Sequence, residues 1–186
     1  MEEYRIPEGN LIAREDCVVV LIDLQEKLIP VITGKEGVLE NALRLLRFTR
    51  IARIPVIITE QEKLGKTVAE VAGEAGGLEP IQKIEFNCFM SDGFRYRIKE
   101  LGRKTLILAG VEAHICVAQT ALCGAQSFRI HVVADAVGSR VLFNRDIALR
   151  RMEQHGATLT TTEMFIYEVL KQAGTEEFKE TLSVVK

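Results

Sequence analysis

The chain has 186 residues, 47% of them hydrophobic and 27% charged, and carries a formal net charge of −2. This length suits one domain spanning 1–186 with a sizeable buried core, and the balance is that of a globular protein rather than a disordered one. With no basic excess to meet phosphates, nucleic acid is set aside as a main partner. The opening stretch, MEEYRIPEGN, is polar and acidic and contains no apolar leader. The longest apolar run starts at Cys17 and stops at Asp23, far short of the roughly 18 residues a membrane span needs. Four cysteines without a C-x-x-C pairing (Cys17, Cys88, Cys116, Cys123) read as reduced thiols in the cytoplasm, each a small buried hydrophobe. Cys116 and Cys123 fall on one helix two turns apart, too far for a bridge.

In chain order, short β-branched runs alternate with helical segments. Strands are expected at Cys17–Ile22, Pro55–Thr59, Ile81–Ile84, Thr105–Ala109, Ile130–Ala134 and Thr158–Thr161. The first, second and fourth are continuously apolar, as in a parallel sheet covered on both faces. The third and sixth are shorter and more polar, which places them nearer an edge. Residues 38–52 set Val38, Leu39, Ala42, Leu45, Leu46, Thr49 and Ala52 on one helical stripe. Residues 115–127 and 144–155 read as two further helices, the second ended by Gly156. The tail reads as two helices, 162–171 and 175–184, with Thr175, Glu176 and Glu177 at the start of the last. The natural packing is an α/β three-layer sandwich around a doubly wound, mainly parallel six-stranded sheet.

In such a sheet the ligand lies beyond the carboxyl ends of the strands, near the point where strand order reverses. Strand one ends in Asp23, and a carboxylate closing an apolar run is either a helix N-cap for the segment starting at Leu24 or a group held there for chemistry. Strand four ends in Gly110, after which GVEAHICVAQTALCGAQ places Cys116 where a helix begins. There the dipole end and free N–H groups would lower the thiol pKa toward neutrality and hold an oxyanion. The alternative is a buried cysteine facing the sheet. Lys83, at the end of the short third strand, is either a surface lysine or an ammonium that stabilises a thiolate while Asp23 takes its proton. Periodicity does not bring the three together.

Three segments in order, VLIDLQEKL with Asp23, KIEFNCF with Lys83 and GVEAHICVAQTA with Cys116, resemble the isochorismatase-like cysteine hydrolase superfamily. The intervening TEQEKLGKTVAEV resembles the isochorismatase-domain-containing branch, and the likeness runs from about residue 12 to residue 170. It implies a triad in which Asp23 is the base, Lys83 orients and stabilises charge, and Cys116 attacks a carbonyl carbon. It also implies a cis Val111–Glu112 bond and an oxyanion hole built from the backbone amides of Glu112 and Cys116. Nicotinamidases of the superfamily carry a D-x-H metal motif where this chain reads TEQEKLGKT, and only His114, His131 and His155 are present, so no metal or other cofactor is expected. True isochorismatases carry glycine where this chain has Cys116. A cysteine points to acyl transfer through a thioester, with a small amide or ureido compound as substrate and, from the family, a homo-oligomeric assembly.

Around the triad, Gln25 is either a substrate contact or a solvated residue, and His114 either lines the pocket or makes a structural hydrogen bond. Phe86, Phe89 and Phe94 either wall the pocket or belong to the core. Cys88 is a second thiol near the mouth or buried filler, and Asp135 a helix or turn cap. The competing function is a catalytically silent oligomeric interaction module of the same fold. A nucleotide- or flavin-binding domain fits poorly, since no glycine-rich phosphate loop follows a strand.

Overall fold

The computed structural model describes residues 11–185; the polar opening stretch 1–10 and Lys186 lie outside them. Six strands, β1 (Cys17–Ile22), β2 (Val56–Gln61), β3 (Ile81–Lys83), β4 (Thr105–Val111), β5 (Arg129–Gly138) and β6 (Thr158–Thr160), pair in the order β3-β2-β1-β4-β5-β6. Every pairing is parallel. The two short, polar strands take the edges, where fewer apolar neighbours are required. The apolar β1 and β4 take the middle, and all their residues are buried. Strand order reverses between β1 and β4, so the switch point of a doubly wound sheet falls between their carboxyl ends.

Helices cover both faces. On one lie α1 (Lys35–Ala52), α6 (Thr162–Leu170) and α7 (Glu176–Val185), packed on Val19, Leu21 and Ile107. The expected stripe of α1 is buried except for the partly covered Leu39, and it gains Phe48, whose ring meets Phe165 edge-on at 5.7 Å. Thr161 and Thr175 cap α6 and α7 through their hydroxyls, accepting from Met164 N and Phe178 N. On the other face α3 (Asp92–Leu101), α4 (Ala118–Gly124) and α5 (Leu142–Gln154) pack on Val18, Val20, Leu106 and Leu108. The short α2 (Ala69–Glu74) buries Val71. No described helix is long and apolar enough to cross a membrane.

Four features depart from the sequence reading. The strands run further than expected at their carboxyl ends: β2 reaches Gln61, β4 reaches Val111 and β5 reaches Gly138. In β5 a register shift against β4 lets the strand absorb the polar Asp135 and continue. Helices α2 and α3 went unforeseen. The apolar positions of α3 (Phe94, Ile98, Leu101) have helical spacing but are interleaved with five charged residues, so no continuous run announces them. The expected helix at 115–127 starts earlier, as a π-helical turn over Ala113–Val117 that leads into α4.

Gly110 lies where β4 meets β1, at φ +115°, level with Ile22. A Cβ there would overlap the Ile22 carbonyl oxygen and stand 2.6 Å from the Ile22 nitrogen. Gly110→Ala is therefore expected to destabilise the fold by about 3 kcal/mol or more, because strand backbones cannot yield. A denaturant midpoint close to that of the parent protein would contradict this contact.

Candidate active site

The parallel register brings the site together. Ile22, Thr59 and Gly110 stand level at the ends of β1, β2 and β4, and Gln61, two residues beyond Thr59, pairs with Lys83 on β3. Lys83 thus ends the edge strand beyond the level of Asp23, with β2 between them. Two strand spacings of about 4.8 Å separate their backbones, and the lysine stem together with the Asp23 side chain bridges them across β2. Asp23 has a left-handed backbone, φ +53°, which breaks the strand alternation. Its carboxylate meets groups from β2 and β3. Thr59 Oγ1 donates to its Oδ1 at 2.7 Å and Lys83 Nζ to its Oδ2 at 2.7 Å. No helix follows at Leu24, so Asp23 is not an N-cap.

Both side chains of this ion pair have no solvent exposure. The ammonium finds three oxygens, since Lys83 Nζ also donates to Gln61 Oε1 at 3.0 Å and to the Glu85 carbonyl at 3.2 Å. It reaches Cys116 Sγ at 3.9 Å. The thiol, 5% exposed, lies within the field of the Asp23 carboxylate as well. Three residues that sequence spacing left apart share one buried cluster.

The thiol does not sit at the head of a regular helix. Cys116 lies inside the π turn, and burial first, then the Asp23 carboxylate, push its pKa well above the ordinary thiol range, which Lys83 offsets only in part. The expectation of a thiol tuned toward neutrality is corrected: desolvation and a like charge outweigh the dipole. The thiol therefore lies beside a buried Asp23–Lys83 ion pair without being ionised by it.

The loop before the π turn is braced from the end of β5. The Val111–Glu112 peptide is cis. The Glu112 carboxylate, 4% exposed as a residue, accepts from Arg140 N at 2.9 Å and from Arg140 Nε at 3.1 Å. His114 Nδ1 pairs with the buried Ser139 hydroxyl at 2.9 Å, so this ring makes the structural bond. Arg140 and Ser139 carried no signal in the sequence, because nothing local ties the end of β5 to the turn after β4.

The remaining candidates fall outside the triad contacts. Gln25 is fully buried, and its amide is spent on β2 and the following loop. Its Nε2 donates to the carbonyls of Gln61 at 2.9 Å and Gly65 at 2.7 Å, and its Oε1 accepts from Gln61 N at 2.8 Å. It is a brace rather than a solvated residue or a group free to meet a ligand. Phe94 is core and meets Phe89 edge-on; Phe86 is 53% exposed on the segment after Lys83. Cys88 is buried, its backbone N–H donates to Thr120 Oγ1 at 3.0 Å, and burial raises its thiol pKa to about 11. Cys123 is exposed, unlike the buried residue expected there. Asp135 caps a distant helix, accepting from Thr162 N and Oγ1 at the start of α6. Among the described residues no group of three or more His, Cys, Asp or Glu is arranged to hold a metal ion.

Comparison with known proteins agrees with this fold. The family model for the isochorismatase domain matches residues 17–164. Isochorismatase domain-containing protein 2 of Danio rerio is 39% identical over 173 residues, covering 91% of this chain and 86% of that protein. Among solved structures, the MAR1 ribonuclease of Caenorhabditis elegans superposes with a TM-score of 0.87 at 33% identity, covering 94% of this chain and 92% of that one. YcaC from Pseudomonas aeruginosa, solved with hexane-2,5-diol and covalent acrylamide, gives 0.87 at 26%, covering 95% and 92%. The Escherichia coli YcaC product, an octameric hydrolase of unknown specificity, gives 0.85 at 26%, covering 97% and 89%.

A thiol held protonated at rest has a measurable consequence. Iodoacetamide labelling of Cys116, followed by peptide mass spectrometry, is expected to accelerate about tenfold per pH unit from pH 7 to pH 9, with no levelling. A rate that plateaus near neutrality would show a thiolate already formed.

Proposed function

Because the chain belongs to the isochorismatase family, we propose that it is a cysteine-dependent hydrolase that cleaves the C–N bond of a small amide- or ureido-type substrate through a thioester on Cys116. The observation that carries this reading is one buried ammonium that reaches both a thiol and a carboxylate, the ion pair being shielded from water. An ionised pair in that setting costs desolvation, and its placement against a nucleophile supports chemistry over packing.

In the first half-reaction the Cys116 sulfur attacks the carbonyl carbon while its proton passes to Asp23. The carbonyl oxygen becomes an oxyanion, held by the amides of Glu112 and Cys116. The Glu112 N–H has no backbone or side-chain acceptor among the described residues, which favours this role. Collapse expels the amine, which takes the proton from Asp23 and leaves a thioester. In the second half a water gives a proton to Asp23, attacks the thioester carbonyl and releases the acid, and the proton returns to sulfur. Lys83 keeps Asp23 aimed and balances its charge as the proton comes and goes. Arg140, through Glu112, holds the oxyanion loop in place.

Two relatives bear on the nucleophile and the assembly. The acrylamide found covalently attached in the Pseudomonas aeruginosa structure is an electrophile that adds to nucleophiles through its double bond, so it favours a reactive nucleophile in this fold. The octameric Escherichia coli relative favours a homo-oligomer here as well. The vinyl-ether chemistry of true isochorismatases is not favoured, since their glycine position holds Cys116 here.

The test is intact-mass spectrometry after exposure to acrylamide and to a panel of small amides and ureides. Adducts should map to Cys116 and vanish in Cys116→Ala, while release of the amine from a hydrolysed amide should fall at least about 10²-fold in Asp23→Asn, the range expected for loss of a general base. Adducts confined to the exposed Cys123, or an unchanged rate in Asp23→Asn, would refute the mechanism and leave the silent interaction module as the better account.

A further inference from the structure

We propose a second binding site at the opposite pole of the molecule, one that takes a small aromatic anion: a single ring carrying a carboxylate or a phosphate. It is the cavity of about 350 Å³ between α3 and the turn that joins α4 to β5. Arg103 and Lys104 on its rim immediately precede β4, whereas Cys116 lies beyond the other end of that strand. Seven strand residues separate the two ends by roughly 23 Å at about 3.3 Å per residue. A molecule bound here is therefore not the one Cys116 attacks.

Charge gives the first half of the recognition. Four cations line the cavity, Arg95, Lys99, Arg103 and Lys104, and no acidic side chain does. In a chain of net charge −2 such a grouping needs compensation from neighbouring acids, and these are already committed. Asp92 pairs with Arg95, Glu100 with Arg97 and Asp16 with Arg129. Arg103 spends one nitrogen on the neutral carbonyls of Arg14 and Cys17, at 2.7 and 2.8 Å, so its charge is held in place but not cancelled. Lys99 and Lys104 have no carboxylate partner among the described residues. Three uncompensated cations around one concavity favour an anion, and the fixed guanidinium favours a planar or tetrahedral oxyanion in particular.

The apolar lining gives the second half. Phe89 and Phe128 stack with centroids 5.4 Å apart and planes 28° from parallel, and both stay partly exposed at the cavity. Lys104 Nζ stands 5.7 Å from the Phe128 centroid. A third ring extends this stack while its charged group turns to the lysines and Arg103. An inorganic anion satisfies the charges but leaves the rings wet, and a neutral aromatic does the reverse.

The site is tested by titrating the full chain with phenyl phosphate, benzoate, inorganic phosphate and benzyl alcohol, using calorimetry and amide NMR shifts. At least one of the two aryl anions should saturate the protein, shifting resonances around Lys104 and Phe128. Which one does so identifies the charged group. Inorganic phosphate and benzyl alcohol should each bind at least about fivefold more weakly, and Lys99→Gln/Lys104→Gln should weaken the aryl anion by about tenfold or more. Both lysines are exposed, so this variant keeps the fold. No saturable binding of either aryl anion, equal binding of inorganic phosphate, or undiminished binding in the double variant would each overturn the proposal. Turnover is not read, so failure of the hydrolase reading leaves this outcome untouched.

Discussion

The structure turns on one buried ion pair, Asp23 with Lys83, whose side chains are shielded from water completely. A carboxylate and an ammonium removed from water lose several kcal/mol each, and their mutual attraction offsets this only when the remaining lone pairs and protons are also matched. Here they are. Thr59 takes the second carboxylate oxygen, while Gln61 and the Glu85 carbonyl take the protons that Asp23 leaves. No buried polar side-chain atom is left without a partner among the described residues. Those partners come from β2 and from the segment after β3, so the pair requires the sheet to be in register before it can form. Gln25 secures that register from behind by binding β2 at Gln61.

The same pair sets the electrostatics of Cys116. A thiol beside a lone ammonium would ionise easily, and one beside a lone carboxylate would not ionise at all. Beside both, and buried, its pKa is pushed up, by burial first and then by the Asp23 charge. In the proposed mechanism the charge needed for attack develops on sulfur as its proton passes to Asp23. The π turn and the Arg140–Glu112 contact complete the arrangement by fixing the loop that faces the sulfur.

How much of this was legible in the sequence depends on the range of each interaction. Continuous apolar runs gave β1 and β4 without ambiguity, because a strand buried on both faces leaves no room for polar residues. The polar edge strands were placed correctly for the converse reason. Interleaved charges hid α3, and a π turn has no compositional signature, so the start of the Cys116 helix was misjudged. Asp23, Lys83 and Cys116 each stood out as a polar or reactive group at a strand end, yet their meeting depends on β3 lying beyond β2, a pairing that no local pattern encodes. The roles of Gln25, Ser139 and Arg140 were hidden for the same reason. The thiol was misread because helix position was visible in the sequence while burial and the Asp23 charge, the larger effects, were not.

A double-mutant cycle on Asp23 and Lys83, measured by denaturant unfolding, tests the central claim most directly. Lys83→Met alone strands a buried carboxylate and Asp23→Asn alone strands a buried ammonium, so each should cost about 3–5 kcal/mol. The double replacement should recover much of that loss, giving a coupling of at least about 2 kcal/mol. Strictly additive losses would mean that the two charges do not sense each other, and the account of the site built on them would fail.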